Sequence, residues 1–222
     1  MNRMTRSLSL VALVFAVAQP ALAQHSDIEV AAIDGKLVVE PGEEGYVFEG
    51  ELGETFPNFG TEPGFEAEDG QLQAGDELGF NLLAGLLYWD GGQFTAPPNA
   101  EQITISKAAR ATLVTPNSGA QNGFHFAAAD DEGGLHEDLE FLLSRPDANP
   151  DTAIGAYGLW LELASPRYES SNGFIILLNN GLAEEQFEAG VAAAAKLVPE
   201  PASWALAALG LVVAAGTRRA WR

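Results

Sequence analysis

The sequence predicts a mainly β protein, an antiparallel β-sandwich, on three observations. Between residues 24 and 182 the chain is a ladder of short apolar runs separated by Gly, Pro, Asn and Asp, the spacing that sandwiches and barrels produce when no helical pattern intervenes. Tyr157, Leu159, Leu161 and Leu163 recur at every second residue. That period lays a continuous apolar surface along one face of a strand and turns Trp160 and Glu162 to the other. Asp34-Gly35 joins two apolar stretches, 27–33 and 36–40, and such a dipeptide signals a hairpin because both turn positions need positive φ.

The other elements follow in order. Residues 46–49 add a third strand, and 51–76 reads as a long surface loop held down locally by Phe56, Phe59 and Phe65. The leucine-rich stretch 77–89 fits a buried strand or a helix, and Gly79, Gly85 and Gly91 favour strands. Further strands are expected at 101–106, 111–115, 122–128, 137–143, 155–164 and 174–179. Residues 183–196 read as a helix, with Phe187, Val191 and Ala195 near one face and Glu184, Glu185 and Glu188 in the first turns, where the helix dipole favours acids. Its simplest role is a spacer, 183–197, between the sandwich domain 24–182 and the C-terminal segment.

Composition narrows the function. The chain has 222 residues, no cysteine and a net charge of −20. Glu200 is the one acidic residue outside 24–198, whereas Arg3, Arg6, Arg218, Arg219 and Arg222 all lie outside it, so the segment between the ends is more acidic than the whole. Nucleic acid and anionic membrane surfaces need a positive footprint and are excluded as partners. Arg3 and Arg6, an apolar stretch at 8–18 and Ala21-Leu22-Ala23 form a secretory signal peptide, 1–23, whose cleavage leaves Gln24 first. An exported chain without cysteine gains nothing from disulfides and is held by its core and any metal.

The C-terminal stretch 198–222 reads VPEPASWALAALGLVVAAGTRRAWR. Its two prolines cannot continue a helix. Residues 202–216 carry no charge, a run shorter than the roughly 20 residues that cross a bilayer comfortably, and arginines and tryptophans flank it as at a membrane interface. This order resembles the PEP-CTERM sorting signal of Gram-negative bacteria at Pro199-Glu200-Pro201, a short transmembrane helix at about 202–216, and Arg218-Arg219. The resemblance implies export, transient anchoring in the inner membrane, processing by an exosortase-type membrane protease near Pro-Glu-Pro, and delivery to the cell surface or extracellular matrix.

Three histidines carry the candidate chemistry. His25-Ser26-Asp27-Ile28-Glu29 and His136-Glu137-Asp138-Leu139-Glu140 share the pattern His-x-Asp-apolar-Glu. In an extended chain the polar members project from one face, placing an imidazole beside a carboxylate, as a zinc site with nitrogen and oxygen ligands requires. His125 stands between Phe124 and Phe126 and faces outward if the rings are core. The candidate metal ligands are therefore His25, His125 and His136, with Asp27 and Asp138 next. The stretches around the two His-x-Asp motifs resemble exported PEP-CTERM surface proteins linked to a zinc-uptake repressor, which implies zinc storage or scavenging outside the cell.

Other chemistry lacks its motifs. Asp130-Asp131-Glu132-Gly133-Gly134 lacks the spaced ligands of an EF-hand loop and reads as an exposed acidic turn. There is no nucleophile elbow, phosphate-cradling loop or dinucleotide fingerprint. The expectation is a non-enzymatic surface protein that binds a divalent metal, zinc first. A structural or polysaccharide-contacting matrix protein using Trp89, Trp160 or the loop phenylalanines is the alternative, and a metal-dependent hydrolase the third.

Overall fold

The computed structural model describes residues 27–108 and 111–198. In chain order these form β1 (Ile28–Ile33), β2 (Lys36–Val39), β3 (Val47–Glu51), β4 (Phe59–Gly60), β5 (Phe65–Ala67), β6 (Glu77–Leu82), β7 (Leu87–Trp89) and β8 (Phe94–Thr95). Then come β9 (Gln102–Lys107), β10 (Ala111–Val114), β11 (Gln121–Ala128), β12 (Leu135–Glu137), β13 (Glu140–Ser144), β14 (Gly155–Ala164), β15 (Phe174–Asn180) and the helix α1 (Glu184–Ala194). The mainly β class predicted from the ladder of short runs is the class observed.

The largest sheet is ordered β11-β6-β14-β15-β3, with β7 paired to β14 and β8 to β7. Two four-stranded sheets, β12-β5-β1-β2 and β10-β9-β13-β4, complete the domain. Tyr157, Leu159, Leu161 and Leu163 on one face of β14 share a single core with Ile28, Leu37 and Phe65 of one small sheet and Ile103, Ile105 and Phe141 of the other. The period of two in β14 thus identified its core face. At the β1–β2 turn Asp34 and Gly35 both have positive φ, 51° and 83°, as the hairpin signal requires.

The structure departs from the sequence reading in four places. Residues 51–76 are not all loop, because Phe59–Gly60 pairs with β13 and Phe65–Ala67 lies inside a sheet between β12 and β1. Strands of two and three residues are too short for alternation to show. Two strand pairs are parallel, β1 with β5 and β15 with β3. The expected strand 137–143 is two strands in different sheets, since the chain turns at Asp138-Leu139 to bury Leu139. Finally, the helix read as a spacer is docked: Phe187, Val191 and Ala194 pack on Val47, Ala156, Ile175 and Leu177, the outer face of the large sheet. β15 is consequently buried on both faces, which accounts for its unbroken apolar run.

One buried carboxylate ties the loops at this end of the sandwich. Asp76, 4% exposed, accepts from the Gln73 N–H at 3.0 Å, the Tyr168 hydroxyl and Arg167 Nε. Burial pushes its carboxyl up, but the hydrogen bonds from Tyr168, Gln73 and Arg167 outweigh burial and hold it below the usual carboxylate range. A carboxyl that is harder to protonate folded than unfolded contributes stability above its unfolded pKa and loses it as pH falls through the folded value. Tyr168→Phe is therefore expected to lower stability at neutral pH by about 1–2 kcal/mol and to lose less on acidification than the wild type, as urea denaturation from pH 7 to 3 will read.

Candidate metal site

The site grows from three buried anchors on adjacent strands. Ile28 of β1, Phe65 of β5 and Leu135 of β12 point inward, at 0%, 0% and 8% exposure. Their chain neighbours Asp27, Glu66 and His136 therefore turn outward. Register aligns them: His136 is opposite Glu66, and Glu66 is opposite Glu29, two residues beyond Asp27.

Asp27, Glu66 and His136 each offer a ligand atom, and the three atoms lie within 4.8 Å of one another. His136 Nδ1 is 3.3 Å from Asp27 Oδ2. Ligand bonds of about 2.0–2.1 Å in a tetrahedron separate neighbouring ligand atoms by about 3.3 Å, so this pair is spaced for one zinc ion. The Gly64 N–H donates to Asp27 Oδ1 at 3.1 Å and fixes the carboxylate while leaving Oδ2 towards the imidazole. His136 is largely exposed and Asp27 largely covered, so one ligand is positioned by the fold and the other is accessible from solvent.

Asp138 and Asp27 both approach Gly64: a Cβ at that glycine would overlap Asp138 Oδ1 and come within 2.8 Å of Asp27 Oδ1. Glu137 turns aside to pair with Lys107, whose Nζ also donates to the Asp138 carbonyl at 3.2 Å. Gly64→Ala is expected to push the two aspartates apart and weaken metal binding by roughly 10-fold or more, the scale on which misoriented ligands cost affinity. Competition with a chromophoric chelator measures this.

The residues expected from the sequence separate as follows. Asp27 and His136 come together, and Asp138 lies beside Gly64 but outside the group of three. His125 is exposed on β11 with Phe126 in the core, and its Nδ1 lies 3.3 Å from Glu77 Oε2, outside the group of three. His25 precedes the described residues. Glu66 was not anticipated: it lies inside the stretch read as loop, on a strand of three residues, Phe65–Ala67, too short to announce itself. The turn at 130–134 is closed by Asp130 Oδ1, which accepts from the N–H groups of Glu132 and Gly134 at 3.0 and 2.8 Å.

Comparison with known proteins bears on the C-terminus. A family model, the PEP-CTERM protein-sorting motif, matches residues 197–220. The chain carries a PEP-CTERM sorting signal. This signal supports an exported protein, transiently anchored in the membrane and processed by an exosortase, a membrane protease. It covers the end of the chain alone and bears on neither the domain nor zinc. No curated protein and no solved structure matches the chain. Pro199, Glu200, Pro201, Arg218, Arg219, the apolar span at 202–216 and the signal peptide lie outside the described residues. Among the described residues no helix is long and apolar enough to cross a membrane.

Proposed function

We propose that this is a non-catalytic surface protein, delivered by its sorting signal to the cell exterior, that binds a divalent metal through Asp27, Glu66 and His136. The observation that carries the reading is the convergence of an imidazole and two carboxylates from three adjacent strands within 4.8 Å. One nitrogen and two oxygens suit zinc among the divalent ions, with manganese the next candidate. Asp138, beside Gly64, and His25, from the His-x-Asp pattern that precedes the described residues, are the further ligands proposed. Zinc titrated into the mature protein by calorimetry is expected to bind at about one equivalent, the stoichiometry of a single tetrahedral site. The same heat from the triple Ala variant at Asp27, Glu66 and His136 would sink the proposal.

A second reading rests on the outer face of the sheet β10-β9-β13-β4. Val114, Thr104, Leu142 and Phe59 stand in register across its four strands. Phe56, 63% exposed, meets Phe59 edge-on. The adjoining outward residues Thr112, Ser106, Gln102 and Ser144 are uncharged, and Glu140 accepts from Ser106 at 2.8 Å. We propose contact with a neutral extracellular polysaccharide here. Trp89 has no part in it, being 6% exposed beneath α1 with its Nε1 donating to the Gln186 carbonyl. Retention of the wild type, but not of Phe56→Ala, on the organism's own matrix polysaccharide would support this reading. Equal retention of both counts against it.

A further inference from the structure

The two arginines among the described residues are used differently. Arg145 commits its whole fork, donating from Nε and one terminal nitrogen to Asp147 and from the other terminal nitrogen to the Asp151 carbonyl. Among the described residues, the Arg167 guanidinium commits Nε alone, to Asp76. The Arg167 side chain is 54% exposed and that of Asp76 is 3% exposed, so one edge of the guanidinium is anchored and the terminal N–H groups remain for an outside partner. The anchor is itself held, since Asp76 also accepts from the Gln73 N–H and the Tyr168 hydroxyl. The fold thus orders this arginine in advance, which removes much of the entropy that ordering it on binding would cost. Arg167 lines an open groove of about 480 Å³ with Gly75, Asp76, Glu77, Ser165 and Pro166. Ser165 Oγ accepts from the Arg167 N–H at 3.3 Å, leaving its own proton to donate. Glu77, 58% exposed, turns one oxygen to His125 Nδ1 at 3.3 Å, and its other oxygen has no partner among the described residues.

We propose that this groove binds a sugar acid: the terminal N–H groups of Arg167 hold the carboxylate of one uronate unit, and Glu77 accepts from its hydroxyls. A planar carboxylate matches the guanidinium fork in geometry as well as charge. A bare anion offers Glu77 no donor and is repelled by it, whereas a uronate brings a carboxylate for the arginine and hydroxyl donors for the glutamate. A continuous polyanion is opposed by the net charge of −20. The ligand is therefore a largely neutral saccharide that carries isolated uronates, and the open groove lets its chain run on past the site. Glu77 opens β6, and Ser165, Pro166 and Arg167 follow β14. These elements differ from those that carry the metal site and the Phe56 surface, so the proposal is independent of both.

Calorimetry on the mature protein with three probes tests this: xylotriose carrying one glucuronate, plain xylotriose, and sodium acetate. The glucuronate-bearing sugar is expected to bind roughly 10-fold or more tighter than either of the others, the scale of a charge-assisted hydrogen bond. Arg167→Lys keeps a cation for Asp76 but has no fork, and is expected to weaken that binding by about 10-fold or more. Glu77→Ala changes an exposed side chain and leaves Arg167 and its anchor in place, so it reads the site even if Arg167→Lys fails to fold. It is expected to weaken the acidic sugar by about threefold or more, through the lost acceptor, and to strengthen acetate, through the lost repulsion. Acetate binding as tightly as the acidic sugar would mean an adventitious ion only and overturn the proposal. Equal binding of the two sugars, or acidic sugar bound no more weakly by Glu77→Ala, would also overturn it.

Discussion

Removing residues 183–222 is expected to unfold the domain rather than trim it. The deletion takes away Phe187, Val191 and Val198, each at most 7% exposed, and each such side chain stabilises by about 1.5–3 kcal/mol on burial. The loss is on the order of 5 kcal/mol or more, against a total of about 5–15 kcal/mol for a typical domain. It also exposes Val47, Ile175, Leu177 and Trp89 as one patch, a surface that invites aggregation. The milder Phe187→Ala leaves a cavity in the cluster beneath α1 and is expected to cost about 3–5 kcal/mol. Urea denaturation reads both effects. A truncated protein with the wild-type midpoint would mean that α1 is a passive spacer after all.

The second large effect falls on metal affinity. Asp27→Ala, Glu66→Ala and His136→Ala are each expected to weaken zinc binding by on the order of 100-fold, at the upper end of what losing a mere supporting partner costs. His125→Ala is expected to leave it unchanged, because that imidazole faces Glu77 and lies outside the group. Glu66, His125 and His136 are exposed at the sheet surface, so the denaturation midpoints of those three variants without metal should stay close to the wild type. Asp27→Ala also removes the acceptor of the Gly64 N–H and is expected to cost about 1 kcal/mol. Calorimetry with each variant distinguishes this from zinc held by all three histidines, where His125→Ala and His136→Ala weaken binding alike.

What was legible in the sequence follows from the length scale of each signal. β14 declared itself because ten residues give several cycles of alternation, and the first hairpin because Asp34-Gly35 has one favoured geometry. β5 did not, since three residues cannot display a period. With β5 went Glu66, although it is the middle member of the site. The partnership of Asp27 with His136 was visible only as a repeated pattern. Their meeting depends on β5 entering between β12 and β1, a long-range event that no local pattern encodes. The helix was legible as a helix, but its docking was not. The clue lay elsewhere, in the unbroken apolar run of β15, which demands cover on both faces.

Placing the ion itself is the most direct test of the metal reading. X-ray anomalous scattering at the zinc edge from crystals of the mature protein grown with zinc is expected to give one strong peak between His136 Nδ1 and the carboxylates of Asp27 and Glu66, with bonds of about 2.0–2.2 Å. A peak at His125 and Glu77 instead, or none on this sheet, would contradict the account.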